Sequence, residues 1–219
     1  LDLEIENSLE AWSIAFSPTW PTSGEDRSNI SVYCGGDDSM LRYTSCSWMA
    51  NGKDADPETP YGSVTLKGKH DAGVTAILPL DLKSQQGGRV VVTGSYDDRL
   101  RVFVIFDLDA TYGQRRVEQV VEKDLGGGVW RLDLVTLKIS GDSARIVLLA
   151  SCMHAGARVV ELCVAGDVTW TCRILTKFEE HKSMNYASDY CPRDTGKLRI
   201  ASSSFYDKLL CLWESDVTV

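Results

Sequence analysis

The stretch TGSYDDRLRVF, residues 93–103, leaves a β-branched run through Gly-Ser, crosses a polar Tyr-Asp-Asp turn and returns to alternating apolar residues. It reads as the end of one strand, a tight turn and a second strand. Three other stretches line up with it: CGGDDSMLRY from Cys34, ASCMHAGARVV from Ala150 and SSFYDKLLCLW from Ser203. Upstream of each lies a further short run of strand type: EAWSIAFSP, AGVTAILPL, GGVWRLDLV and KSMNYASDY. Two of these runs follow a histidine, His70 in GKHDAG and His181 in EEHKSM. Helical spacing of apolar residues is hard to find anywhere in the chain.

A histidine, an inner strand, an Asp-bearing turn and a strand ending near Trp form the layout of a WD-repeat blade, a four-stranded antiparallel unit. GSVTLKG (62–68), RRVEQVVEKD (115–124) and DVTWTCRILTKF (167–178) supply the outer strands. The expected fold is an all-β WD-repeat β-propeller segment over residues 1–219. About four blades are expected, at 9–68, 70–124, 125–178 and 181–214, from a larger propeller of about seven. Polar insertions such as PTWPTSGEDRS and ANGKDADPETPYG read as surface loops. The last blade lacks an outer strand, and the leading LDLEI would either fill that gap or finish a preceding blade. The second option, a C-terminal fragment of a longer parent, is the preferred one, and the missing initiator methionine agrees with it.

Composition narrows the function classes. The 219 residues are 43% hydrophobic and 25% charged, in the ordinary globular range. No run approaches the roughly 20 apolar residues that span a bilayer, so no membrane partner is expected. A net charge of −8 argues against nucleic acid, whose phosphates need a basic surface. Seven cysteines without a C-x-x-C pair argue against a disulfide framework and a zinc module, and favour a reducing, cytoplasmic compartment. Neither metal nor cofactor is expected.

Aligning the blades puts Asp38, Asp97, His154 and Asp207 in one column. The three aspartates read as structural, accepting hydrogen bonds from the blade histidine and from turn amides; His70 and His181 read as their partners. His154 departs from this, because its blade opens LGGGVW and has no partner histidine. An imidazole is a natural general base, and Ser151 and Cys152 beside it are conceivable nucleophiles. The plainer alternative is a blade that lost its network. Gly126–Gly128 would let backbone approach closely, ahead of Trp130 and Arg131 on an inner strand. Asn185, Tyr186, Ser188 and Asp189 are polar for an inner strand; either some of them point into the channel or its mouth, or they make polar contacts at the blade top. Trp130 and each tyrosine can equally be packing.

GGVWR (127–131), ASCMHAG (150–156), GSYDDRLRVF (94–103), HKSMNYASDY (181–190) and SSFYDKLLCLWE (203–214) together resemble the WD-repeat diphthine methylesterase family. The resemblance runs from about Ala11 to Glu214. It implies hydrolysis of the methyl ester of methylated diphthine on translation elongation factor 2, giving diphthine for conversion to diphthamide. The partner implied is that factor, through its modified histidine. Diphthine carries a trimethylammonium group, which aromatic faces bind well, so Trp130, Tyr186, Tyr96 and Tyr206 become candidate walls. His154 is the expected general base, acting on water or on Ser151 or Cys152, with Asp189 to orient it. Arg131 or the amides of Gly126, Gly127 and Gly128 would stabilise the oxyanion. The alternative is a non-catalytic scaffold for protein–protein interaction.

Overall fold

The computed structural model describes residues 5–18, 20–21, 27–49, 62–106, 116–166, 169–192 and 197–217. Most of the two expected surface loops and the first four residues of the leading strand lie outside them. Among the described residues, sixteen strands build four antiparallel sheets. The first contains β1 (Ala11–Phe16), β3 (Arg27–Gly36), β4 (Leu41–Met49) and β5 (Val64–Leu66) in that order, with the short β2 (Trp20–Pro21) also on β3. The second runs β6 (Val74–Lys83), β7 (Arg89–Ser95), β8 (Arg99–Ile105), β9 (Val117–Asp124). The third runs β10 (Arg131–Ser140), β11 (Ser143–Ser151), β12 (Ala157–Ala165), β13 (Thr169–Phe178). The fourth has β14 (Asn185–Pro192), β15 (Leu198–Ser204) and β16 (Leu210–Ser215). Each sheet is a meander in sequence order, and β1, β6, β10 and β14 touch in succession along its inner edge. These are the blades of an unclosed WD-type propeller.

The middle strands explain why their sequences are apolar at nearly every position. Alternate side chains of a strand point to opposite faces, and the second and third sheets are covered on both. Val90 and Val92 of β7 pack toward the third sheet, with Ile146 and Leu148 of β11. Between them, Val91 turns back to Tyr33, Leu41 and Tyr43 of the first sheet. In the same way Val147 and Leu149 face Leu198 and Ile200 of the fourth. Each such buried aliphatic contributes roughly 1.5–3 kcal/mol. Stacking between neighbouring sheets therefore carries the stability. At the two ends of the row, Ile14 and Phe16 on β1 and Leu210 and Leu212 on β16 are exposed.

Polar ties close the end of each blade where the inner strand starts, and they differ from the expected pairing. Histidine and aspartate do not bond each other. His70 Nε2 meets Thr93 Oγ1 at 2.9 Å, and His181 Nε2 meets Ser202 Oγ at 2.9 Å, where Trp213 Nε1 also donates. Asp97 instead accepts from the amide of Asp71, the residue after His70, and from that of Arg99. Its main partner is Arg101, four residues on, at 2.8 Å with both side chains buried. Asp38 and Arg42 repeat the arrangement at 2.7 Å. The imidazole lies behind the turn and reaches the neighbouring strand's hydroxyl, which leaves the carboxylate to the arginine.

Burial, and then the nearby Arg101 cation, push the His70 pKa from 6.5 down to about 4, against the pull of Asp97. Below 6.5 the unfolded chain takes up a proton that the folded ring refuses, so this contribution is complete above 6.5 and is lost as pH falls towards 4. Urea denaturation across that window is expected to show about 3 kcal/mol of lost stability attributable to this ring. His70→Gln should flatten the slope.

Candidate functional site

Aromatic side chains gather at the end of the blades where the inner strands begin. Trp12 stands near the start of β1, Tyr96 in the β7–β8 turn and Trp130 just before β10. Tyr186 stands on β14, and Phe205 and Tyr206 in the β15–β16 turn. Ring centroids follow one another edge to face: Trp12–Tyr96 at 5.2 Å, Tyr96–Trp130 at 5.6 Å, Trp130–Tyr186 at 5.1 Å, Tyr186–Phe205 at 5.9 Å and Phe205–Tyr206 at 5.0 Å. The result is one arc that draws on all four sheets, with Trp130 at its centre. Two glycines make room for it. A Cβ on Gly73 would lie 2.3 Å from the Trp12 ring, and one on Gly128 would lie 2.6 Å from Met153 Sδ and 3.2 Å from Tyr96. The Tyr96 phenol is held above its ordinary pKa, by burial first and then by Tyr186 and the acidic Asp37.

One residue beyond Trp130, half-exposed Arg131 grips Asp133 through Nε and Nη2 at 2.9–3.1 Å. The two sit two apart on β10 and share a face. Asp189, exposed on the adjacent β14, is close enough to add to the upward shift of the Arg131 pKa, whose first cause is the bond to Asp133. A cation and two carboxylates thus lie on β10, which Trp130 precedes, and on β14, which carries Tyr186.

The structure does not gather His154 with its expected partners. In blades one, two and four the left-handed residue follows the column aspartate: Ser39 at φ 61°, Asp98 at 67° and Lys208 at 55°. In blade three the residue after the column is not left-handed; the positive φ values flank it more widely, at Met153 with φ 44° and Gly156 with φ 79°. The turn is remade, Met153 pairs its backbone with Asn185 of β14, and His154 swings out into solvent. There it lines an open groove of about 540 Å³ with Asp124, Gly126, Arg158, Lys177 and Glu179. Neither Asp189, Arg131 nor any ring of the arc lines that groove.

Ser151 and Cys152 are buried behind the inner strands. Ser151 Oγ donates to Ser188 Oγ at 3.0 Å, and Ser188 in turn donates to Asn185 Oδ1. Burial pushes the Cys152 thiol up to about 12. Thiolate is the reactive form, so this sulfur is inert in the fold. On native protein, a small alkylating reagent should label exposed Cys191 and spare Cys152 until denaturant is added, read by peptide mass spectrometry. All seven cysteines are unpaired.

Gly127 and Gly128 serve packing. Counting back four residues from the first inner-strand residue gives His70 before Val74 and His181 before Asn185; the same count from Arg131 gives Gly127. A Cβ there would lie 2.4 Å from the Cys152 carbonyl oxygen, so the remade turn excludes any side chain. The Gly126 amide is taken by Asp124 at 2.7 Å. Sequence reasoning missed Trp12, Phe205 and Asp133. The spacing in WRLD carried a signal for Asp133, whereas the two rings join the site only through the packing of sheets. Among the described residues no group of three or more His, Cys, Asp or Glu is placed to hold a metal, and no helix is long and apolar enough to cross a membrane.

No family model matches the chain. It is similar over most of its length to curated proteins named diphthine methyltransferase. It is 29% identical to that of Schizosaccharomyces pombe, over 95% of this chain and 52% of that protein. The identity is 28% to the one from Saccharomyces cerevisiae, over 94% and 49%, and 25% to the one from Homo sapiens, over 84% and 32%. The chain therefore spans about half the length of the yeast relatives and about a third of the human one. Among solved structures, Sqt1 of Chaetomium thermophilum superposes with a TM-score of 0.45 at 15% identity, over 86% of this chain and 40% of that one.

Proposed function

We propose that this chain, a relative of the diphthine methyltransferases, belongs to a protein that removes the methyl ester from methylated diphthine on translation elongation factor 2. The observation that carries the reading is the aromatic arc centred on Trp130, next to Arg131, Asp133 and Asp189. A trimethylammonium group is attracted to aromatic faces, and the net charge of −8 draws a cationic ligand to the protein. With the ammonium against Trp130, the ester would lie within reach of the inner-strand charges. Asp189 takes a proton from water, and the water oxygen attacks the ester carbonyl. Arg131 donates to the oxygen that becomes negative. The C–O bond to methoxide then breaks, methoxide takes the proton from Asp189, and methanol leaves with the carboxylic acid of diphthine, which releases its proton to water and remains as the carboxylate. No cofactor enters. In this reading His154, Ser151 and Cys152 take no part in the chemistry.

The names of the relatives speak of methyl transfer; hydrolysis is what the resemblance of the sequence implies, and the arc with its neighbouring charges supports it. The test is to incubate the purified protein with elongation factor 2 bearing methylated diphthine and to follow the modified peptide by mass spectrometry. Loss of one methyl with release of methanol is the expected result. A second reading, a binding platform, is favoured by the burial of Ser151 and Cys152. Complex formation with the methyl retained would establish it in place of the first.

A further inference from the structure

The remade turn of blade three leaves a buried cation without its internal counter-ion. Arg42 and Arg101 each have an aspartate four residues earlier, and Asp38 and Asp97 are themselves buried. At the same spacing Arg158 has His154. Its guanidinium is almost fully buried, yet its nearest partners are the carbonyls of Leu125 and Ala157 and a single carboxylate, Glu179 at 2.6 Å. Glu179 is largely exposed and approaches from the solvent side. A buried charge is costly unless compensated, and the one carboxylate that compensates this one is itself more than half exposed.

We propose that the groove beside His154 is a second binding site, in which an acidic side chain of a protein partner replaces Glu179 on Arg158. The geometry shows that a carboxylate fits, since Glu179 already holds that place. The groove is about 540 Å³ and open, and Lys177 and His154 stand on its walls as further donors. Its other acid, Asp124, is committed to the Gly126 amide. The site is separate from the aromatic arc, which shares no lining residue with it, and does not depend on the reading of the arc as an esterase centre.

His154 reports directly on occupancy. The chain has three histidines; His70 and His181 are buried, so the three Cε1–H resonances provide one probe and two internal controls. Titrating the full chain with acetyl-Gly-Glu-Gly-amide should move the His154 resonance saturably and leave the other two in place. The Gln peptide should have no effect. Glu179→Gln, which removes the resident competitor, should tighten binding by about threefold, and Lys177→Ala should weaken it by a similar factor. Both variants change exposed groove residues, so retained dispersion of the amide spectrum checks the fold. Equal shifts with the Gln peptide, no change with Glu179→Gln, or a response to inorganic phosphate but not to the Glu peptide would each overturn the proposal.

Discussion

Trp130→Ala is expected to cut affinity for a quaternary ammonium ligand by about tenfold or more, because a desolvated cation–π contact is worth up to about 2 kcal/mol. The size follows from its place in the arc. Trp130 has Tyr96 on one side and Tyr186 on the other, so its removal takes away the central ring and the support that orients both neighbours. Trp130→Phe keeps a smaller aromatic face and should recover part of the loss. Isothermal titration with a tetramethylammonium salt isolates the cation term, and ester turnover on modified elongation factor 2 tests its consequence. Substitution of Tyr206, at the exposed end of the arc, should cost less than substitution of Trp130. If Trp130→Ala and the wild type bind the cation equally, the arc is packing and nothing more.

The second large effect is on stability. Arg101→Met should destabilise the protein by about 3–5 kcal/mol, since it leaves a buried carboxylate without its cation. Arg101 is 1% exposed and Asp97 6%, and Arg101 also holds Glu122 at 2.9 Å. Methionine fills much the same volume, so the loss is one of charge compensation rather than of packing. Burial alone would raise the Asp97 pKa. The Asp71 amide and Arg101 outweigh it and hold the carboxyl below its ordinary range. Stability from this group is therefore present above the ordinary carboxylate range and lost as pH falls through the lowered pKa. In Arg101→Met most of that protection disappears, and acid unfolding should begin at a higher pH. Urea midpoints at neutral and acid pH measure both effects.

The propeller architecture was legible because each blade repeats a local signal. Strand, tight polar turn and strand recur four times, and the unbroken apolar runs VVV and IVLL mark strands covered on both faces. Tyr96, Trp130, Tyr186 and Tyr206 were singled out through the trimethylammonium group that the resemblance implies, and the packing of the sheets strings them into one arc. The role of His154 was not legible. A column in an alignment assumes that the turn keeps its backbone, and here the left-handed positions lie at Met153 and Gly156 instead of directly after the column. A positive φ at Met153 is held by pairing with Asn185, thirty-two positions away, which no local pattern announces. The Asp-x-x-x-Arg spacing in DDSMLR and DDRLR was visible, but its meaning as a buried ion pair emerged only once both side chains were seen to be enclosed.

By itself, then, the sequence determined the strands, their order within each sheet and which residues each blade offers at its end, because these follow from periodicity and turn chemistry over short distances. The tertiary structure decided which of those residues meet. Stacking of the four sheets brings Trp12, Tyr96, Trp130, Tyr186 and Phe205 into one arc and sets Asp189 beside Arg131. It also encloses Ser151 and Cys152 and sends His154 to a different groove. Which side chains converge depends on the packing of neighbouring sheets, and packing is a relation between distant residues that no single stretch encodes.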